Sequence, residues 1–314
     1  MGGSCGQGAI RMSGTTLTKR LWLSSGWLLV SILIFRAPVI ALVRLAFSQD
    51  DASHLVLIPF ISAVVVYLER DKIFHFISSD RTLGSAFLLA AGCIALVCRL
   101  AAHRGSAADW QLSGWILALA LLWVAGFAFF FGRAALKSAS FPLLFLLLMV
   151  PIPSFLLDRI IYLLQEGSAS ITGVFFDLTG VPVLREGLVF HLAKVTIEVA
   201  KECSGIRSSM ALLILALLVA HFRLRTFWNQ VLFVAFGLFM MILKNGIRIA
   251  TLTLLAIYVD TDFLFGRLHH QGGVVFFVLA LLLLLPLLFF LERRESKRIA
   301  VTNPSELSQA HLPE

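Results

Sequence analysis

Residues 273–291 read GVVFFVLALLLLLPLLFFL, a stretch without a charged side chain. An α-helix rises about 1.5 Å per residue, so roughly 20 apolar residues cross the hydrocarbon core of a bilayer. This stretch therefore predicts a transmembrane helix. The whole chain fits, because 59% of its 314 residues are hydrophobic and only 14% are charged. That composition excludes an ordinary water-soluble enzyme and a disordered chain, and predicts an all-α polytopic membrane protein.

Apolar runs of similar length predict eight transmembrane helices, with both chain ends on one side of the membrane. The eight predicted spans are 21–46, 55–69, 83–102, 111–131, 134–151, 204–221, 228–258 and 273–291. Together they define an apolar domain over residues 21–291. It is flanked by an N-terminal tail, 1–20, and a C-terminal tail, 292–314.

Lysine and arginine are distributed unevenly between the two sets of loops. Fourteen lie in the tails and in the loops of the same side, whereas the short loops of the other side carry only Arg99, Arg104 and Arg267. Because cytoplasmic loops are enriched in these residues, both tails are expected in the cytoplasm. The net charge of +8 follows from the same bias. The bilayer, rather than nucleic acid, is therefore the expected partner of the basic residues.

The longest segment between predicted spans, about 152–203, is expected on the outer face of the membrane. Residues 155–178 have apolar positions at helical spacing with charged residues between them, which predicts an amphipathic helix at the membrane surface. Residues 181–200 alternate in the manner of strands, with Arg185, Glu186 and Gly187 as a turn, and predict a β-hairpin. An isolated hairpin is marginally stable, so it is expected to pack on the helix and on the membrane surface.

Three polar groups stand at or inside predicted spans and would converge near the outer surface. They are KECSGIRSS at 201–209, KNGIR at 244–248 and HHQGG at 269–273. A helix start and a nearby cation favour the thiolate form of Cys203. His269 could accept and return a proton, and Arg248 could stabilise an oxyanion. This combination predicts acyl transfer by a cysteine nucleophile.

Each of these residues also has a structural interpretation. A cysteine near a membrane interface is commonly inert, as expected for Cys93 and Cys98, which lie in the middle and at the end of the third predicted span without a predicted charged partner. Arg248 alone could belong to a structural ion pair, and His269 alone could make a polar contact. A metal site of Cys203, His191 and His269 lacks a closely spaced ligand pair, so neither a metal nor another cofactor is expected.

The stretch VAKECSGIRSS at 199–209 resembles the cysteine motif of the exosortase/archaeosortase family of membrane transpeptidases. KNGIRIATL at 244–252 resembles the family's Asn-x-x-Arg motif, and HHQGGVVFF at 269–277 resembles its His-x-x-x-Gly-x-x-x-Phe motif. The resemblance extends over about 40–291. It includes three further stretches: SHLVLIPFI at 53–61, MVPIPSFLLDRI at 149–160 and GVPVLREGLVF at 180–190.

The resemblance implies that Cys203 is the nucleophile, Arg248 the essential arginine and His269 the third catalytic residue. His269 fits because Gly273 and Phe277 follow it at the family spacing. His270 fits less well, and a shift of one residue in the alignment would favour it instead. Two more residues match family positions and are interpreted as supporting the site: Arg207 and Asn245.

By the same resemblance, the substrates are exported, membrane-anchored proteins with a C-terminal sorting signal. That signal is a short motif, Pro-Glu-Pro in the PEP-CTERM type, followed by a transmembrane helix and a basic tail. The enzyme would cleave near the motif at the outer face of the bacterial inner membrane. It would then transfer the product, through a thioester, to a polysaccharide, a lipid-linked molecule or another surface or extracellular acceptor.

Two alternatives stay open at this stage. One is a purely hydrolytic membrane cysteine protease, which would use the same residues and resolve the thioester with water. The other is a polytopic transporter that uses Lys244 and Arg248 as an anion path. A transporter predicts an inverted repeat, and none is visible in the sequence.

Overall fold

A computed structural model describes residues 14–49, 52–103, 109–193, 195–200, 206–260 and 273–302. The chain divides into two compact units, Met1–Leu157 and Asp158–Glu314. Over the described ranges the protein is mostly helical and has a three-stranded sheet. Within them, five helices are long and apolar enough to cross a membrane. A sixth span is reached if the bent pair Ser140–Met149 and Ser154–Thr179 counts as one.

These helices confirm a multi-pass, mainly helical membrane protein, but the predicted number of eight spans is not confirmed. Two predicted spans, 55–69 and 204–221, coincide with shorter apolar helices at Leu57–Leu68 and Ser208–Arg223. The first predicted span, 21–46, is interrupted at Phe35. The five long candidates are Leu17–Ile34, Arg81–Ala102, Trp110–Ser138, Phe227–Tyr258 and Val274–Lys297.

The first unit is built from helices joined by short connections. They are α1 (Gly14–Ile34), α2 (Arg36–Ser48), α3 (Leu57–Leu68), α4 (Arg70–Ile73), α5 (Arg81–His103), α6 (Trp110–Ser138), α7 (Ser140–Phe145) and a 3-10 helix (Leu146–Met149). Helices α1 and α6 are tied by an indole group, since Trp27 Nε1 donates to Leu122 O at 2.9 Å. The 3-10 helix precedes the Pro-x-Pro sequence at 151–153.

Helix α6 is broken at Gly132, where the sequence predicts the boundary between two spans. Gly132 has φ 78° and ψ −177°, a backbone conformation that residues other than glycine rarely adopt. A Cβ at this position would lie 2.9–3.0 Å from the Ser78 carbonyl group. The guanidinium of Arg20 donates to Ser78 O at 2.7 Å and to Phe130 O at 2.8 Å, which satisfies carbonyl groups around the break.

The second unit carries the predicted functional residues that the structure describes. Helix α8 begins at the end of the first unit and continues into this one. The elements are α8 (Ser154–Thr179), β1 (Val183–Glu186), β2 (Val189–Leu192), β3 (Thr196–Glu198), α9 (Ile206–Arg223), α10 (Phe227–Tyr258) and α11 (Gly273–Thr302). The buried residues of α8 recur at helical spacing: Ile161, Gln165, Ser168, Ala169, Thr172 and Phe176.

The buried side of α8 differs from that of a typical amphipathic surface helix. Three of its buried residues are polar, whereas large apolar side chains such as Phe155, Leu163 and Leu178 are exposed. Exposed apolar side chains suit contact with lipid, and polar groups at helix–helix contacts are common in membrane proteins. The position of α8 at the membrane surface stays a prediction.

The end of α8 is fixed by a glycine with φ 68°. Gly180 N donates to Asp177 O at 3.2 Å and Val181 N donates to Phe176 O at 3.1 Å. This pair of bonds is a Schellman motif, which uses carbonyl groups that a helix end leaves free. It turns the chain from α8 directly into the sheet.

The sheet has the antiparallel order β1-β2-β3, so the predicted hairpin at 181–200 is extended by a third strand. Arg185 and Glu186 belong to β1 rather than to the turn. The turn is Gly187-Leu188, in which Gly187 has φ 61°, as the first central residue of a type II′ turn requires. Arg185 Nη2 lies 2.6 Å from Glu166 Oε1, so an ion pair connects the sheet to α8, whereas the position of the sheet at the membrane surface stays a prediction.

Helices α9, α10 and α11 pack around a shared apolar core. Its buried members include Leu212, Phe233, Met240, Leu284 and Leu291. At one end of this core, the carboxylate of Glu295 accepts hydrogen bonds from the backbone N–H groups of Arg225 and Thr226, both at 2.9 Å. Glu295 therefore caps the start of α10 and fixes the α9–α10 connection to α11.

Candidate active site

The three predicted catalytic residues differ in what the structure says about them. Arg248 is described and lies on α10. Cys203 and His269 lie outside the described residues, as does the alternative His270. The candidate site is therefore built from Arg248 and from the described residues that come before and after Cys203 in the chain.

Helix α10 carries both of its charged residues within little more than one turn. Lys244, Asn245 and Gly246 are buried, and Arg248 is half-buried. Lys244 and Arg248 are four residues apart, so both cations lie on the same side of the helix. Charges within an apolar helix are expensive, so they occur where they contact other protein groups.

Lys244 connects α10 to the start of α9. Its side chain is only 5% exposed, and Nζ lies 2.6 Å from Ser208 Oγ. Ser208 belongs to the first turn of α9, five residues after Cys203. The helix that carries Arg248 is therefore bonded to the segment that follows the predicted nucleophile.

Asn245 connects α10 to α8. Its Nδ2 donates to Ser168 Oγ at 3.1 Å, and the Thr172 hydroxyl is shared between Ser168 O at 2.8 Å and Gly246 O at 3.2 Å. The two backbones approach closely here, because a Cβ at Gly246 would lie 3.0 Å from Ser168 O and would collide with Ile171. Glycine at 246 is thus required by the contact between these helices.

Gln165 connects α8 to the segment that precedes Cys203. Its Nε2 donates to Val199 O at 2.5 Å, and both residues are buried. Val199 N donates in turn to Leu188 O at 3.0 Å, so Val199, just after β3, is hydrogen-bonded both to the turn of the sheet and to α8. Val199 comes four residues before Cys203.

These contacts place residues on both sides of Cys203 against helices α8 and α10. Lys244, Asn245 and Arg248 are predicted from the sequence, whereas Gln165, Ser168 and Thr172 are not. Ser208 lies in the polar group 201–209, but the sequence gives it no role of its own. Three of the missed residues, at 165, 168 and 172, share one face of α8 by their spacing. That spacing is visible in the sequence, although nothing in the sequence shows that this face is buried.

The other residues considered from the sequence take structural roles where they are described. His191 lies on β2, with Nδ1 3.3 Å from Thr196 Oγ1 and Nε2 3.7 Å from Glu186 Oε2. Cys93 is exposed and Cys98 is buried, and both are free thiols. Among the described residues, no group of three or more His, Cys, Asp or Glu side chains could hold a metal ion.

Comparison with known proteins gives a match to one protein family. The family model described as transmembrane exosortase matches residues 42–286, which is well over half of the chain. The matched range contains α10 with Arg248 and the sequence positions of Cys203 and His269. No curated protein and no solved structure matches the chain.

Proposed function

We propose that this chain, which belongs to the transmembrane exosortase family, is a cysteine transpeptidase that cleaves C-terminal sorting signals of exported proteins. Its substrates would be membrane-anchored proteins with signals of the PEP-CTERM type. The catalytic residues would be Cys203, Arg248 and His269. The product would be transferred to a polysaccharide, a lipid-linked molecule or another surface or extracellular acceptor.

The contact between Lys244 and Ser208 is the structural observation that carries this proposal. It joins the helix of Arg248 to the first turn of α9, close in sequence to Cys203. A nucleophile and an oxyanion donor must act on the same carbonyl group, so their segments must lie near each other. The contact supports such a meeting of the Cys203 segment with Arg248.

The first half of the reaction forms a thioester. His269 takes the proton of the Cys203 thiol, and Sγ attacks the carbonyl carbon of the scissile peptide bond. The guanidinium of Arg248 stabilises the negative charge that develops on the carbonyl oxygen. The C–N bond then breaks, and His269 returns the proton to the leaving amine.

The second half resolves the thioester. An amine or hydroxyl group of the acceptor attacks the thioester carbonyl, the C–S bond breaks, and Cys203 regains a proton. If water attacks instead, the same residues perform hydrolysis. A larger mass of the product distinguishes transfer from hydrolysis, so the mass of the processed substrate decides between the two.

The proposed location is the inner membrane, with segment 152–203 facing the outside. Substrate proteins would be exported before they are cleaved, so the nucleophile must be reachable from that side. The transmembrane helix of the substrate would enter laterally through lipid. Selectivity would then depend partly on helix–helix packing, in which small and polar residues dominate.

The test is processing of a co-expressed substrate by Cys203→Ala and Cys203→Ser variants, followed by gel shift. Both variants are expected to insert normally and to leave the substrate uncut. Cys93→Ala is the matched control, because Cys93 is a free thiol on α5 with an exposed side chain, and it is expected to process normally. Full processing by Cys203→Ala would overturn the proposal.

A further inference from the structure

We propose that Gln165 is a positioning residue that holds the segment before Cys203 in place relative to Arg248. This inference rests on the proposed function, because it names a residue that serves the same site. Gln165 itself is not proposed to touch the substrate.

The contact made by Gln165 uses a carbonyl group that the sheet leaves available. Strand β3 ends at Glu198, and the next residue, Val199, is still bonded through its N–H to Leu188 O. Val199 O accepts from Gln165 Nε2 at 2.5 Å in a buried setting, where an unpaired carbonyl group is costly. The amide of Gln165 therefore fixes the direction in which the chain leaves the sheet.

The same face of α8 also holds the helix of Arg248. Ser168, almost one turn after Gln165, accepts from Asn245 Nδ2, and Thr172 donates to Gly246 O. Gln165 and Ser168 belong to one rigid helix. Helix α8 consequently fixes the distance between Val199, four residues before Cys203, and Asn245, three residues before Arg248.

The expected effect of losing this contact follows from the sensitivity of catalysis to geometry. A displacement of about 1 Å at reacting groups costs on the order of a hundredfold in rate. Gln165→Met keeps the length and approximate volume of the side chain but has no amide donor. We expect it to lower kcat for substrate processing by about ten- to a hundredfold, because the Val199 carbonyl loses its donor.

The experiment uses the full chain in proteoliposomes and two measurements. The first is kcat and KM for a substrate with a sorting signal. The second is the rate at which iodoacetamide alkylates Cys203, in a background where Cys5, Cys93 and Cys98 are alanine. Phe176→Leu is the matched control, because Phe176 is fully buried on the same face of α8 and belongs to the same apolar cluster as Val199, but gives Val199 no hydrogen bond.

The inference predicts that Gln165→Met lowers kcat, leaves KM within about twofold, and changes the alkylation rate severalfold. Phe176→Leu should lower the unfolding temperature at least as much while changing kcat and the alkylation rate by less than about twofold. If Gln165→Met does not accumulate in the membrane, Gln165→Asn replaces it. That variant keeps the donor on a shorter stem and should show a smaller loss of kcat.

A Gln165 variant that matches Phe176→Leu in kcat and alkylation at equal loss of stability would overturn the inference. The outcome is separable from failure of the proposed function. If Cys203→Ala processes substrate normally, the proposed function fails, yet alkylation of Cys203 still reports whether Gln165 positions its segment. If Cys203→Ala is inactive and Gln165→Met is unchanged in both measurements, only the positioning role fails.

Discussion

Replacing Ser208 with alanine should destabilise the second unit more than replacing its partner Lys244 with methionine. The bond between them is 2.6 Å long, and Lys244 is 5% exposed whereas Ser208 is half-buried. Ser208→Ala removes an acceptor from a buried ammonium group, which cannot regain it from water. Hydrogen bonds to charged groups contribute about 1.5–3 kcal/mol, and we expect a loss of this size.

Lys244→Met acts in the opposite sense on two further energies. It removes the cost of a charge within an apolar helix, about 2.5–3.5 kcal/mol at a membrane centre on insertion scales. It also removes the repulsion between Lys244 and Arg248, which is about 0.2–0.5 kcal/mol for like charges four residues apart. Ser208 is half-buried, so the loss of this hydrogen bond costs its hydroxyl less than it costs the buried ammonium group. Lys244→Met should therefore cost less than about 0.5 kcal/mol or stabilise the protein.

A double-mutant cycle measures the difference. The free energy of unfolding of the parent, both single variants and the double variant is followed by circular dichroism during titration of mixed micelles with sodium dodecyl sulfate. The double variant should match Lys244→Met, which gives a coupling energy of about 1.5–3 kcal/mol. Ser209→Ala is the matched control, because Ser209 Oγ is buried without a hydrogen-bond partner within the described ranges. Coupling below about 0.5 kcal/mol, or a larger cost for Lys244→Met than for Ser208→Ala, would refute the reasoning.

Two predictions concern catalysis and topology. Arg248→Lys should reduce processing about a hundred- to a thousandfold at normal protein abundance, because lysine lacks the planar, forked set of N–H donors of a guanidinium group. Normal processing by this variant would leave Arg248 with a structural role. A cysteine at Leu184, which is 61% exposed on β1, should react with a membrane-impermeant thiol reagent in intact spheroplasts, whereas one at Arg225 should react only after permeabilisation. The reverse labelling pattern would invert the proposed orientation.

Long apolar helices were predictable from the sequence because their composition alone determines them. The predicted spans 83–102 and 228–258 lie on α5 and α10 almost residue for residue. The prediction was less successful at 134–151, where the chain forms the end of α6, α7 and a 3-10 helix. Hydropathy is insensitive to backbone conformation, so it does not distinguish one continuous helix from several short ones.

In the sheet, the sequence pattern predicts the segment that forms strands but not the exact bounds of the strands and the turn. Alternation over 181–200 predicted strands in the right segment, but β3 has only three residues and was not separated from β2. The alternation predicts the turn at Arg185–Gly187, whereas Arg185 lies in β1 opposite Phe190, and its guanidinium pairs with Glu166 on α8. That ion pair joins residues 19 apart in sequence, and no local pattern specifies it.

The charged residues of the candidate site were predictable, because they interrupt an apolar helix, whereas its small uncharged polar residues were not. Lys244 and Arg248 are conspicuous within α10, because charged residues are rare in membrane spans. Gln165, Ser168 and Thr172 resemble ordinary polar residues of a surface helix. Their function as contacts to Val199, Asn245 and Gly246 depends on which side of α8 is buried, and that is decided by tertiary packing.

The meeting point of α8 and α10 explains why a membrane protein would assemble a site in this way. Lipid is as apolar as leucine, so burial of apolar side chains gives little drive for two helices to associate in a bilayer. Close backbone approach and hydrogen bonds provide it instead. A Cβ at Gly167 would lie 2.9 Å from the Ile242 side chain. A Cβ at Gly246 would lie 3.0 Å from Ser168 O, so neither position has room for one. Because Arg248 follows Gly246 by two residues, the contact that brings these helices together also determines where the arginine is presented.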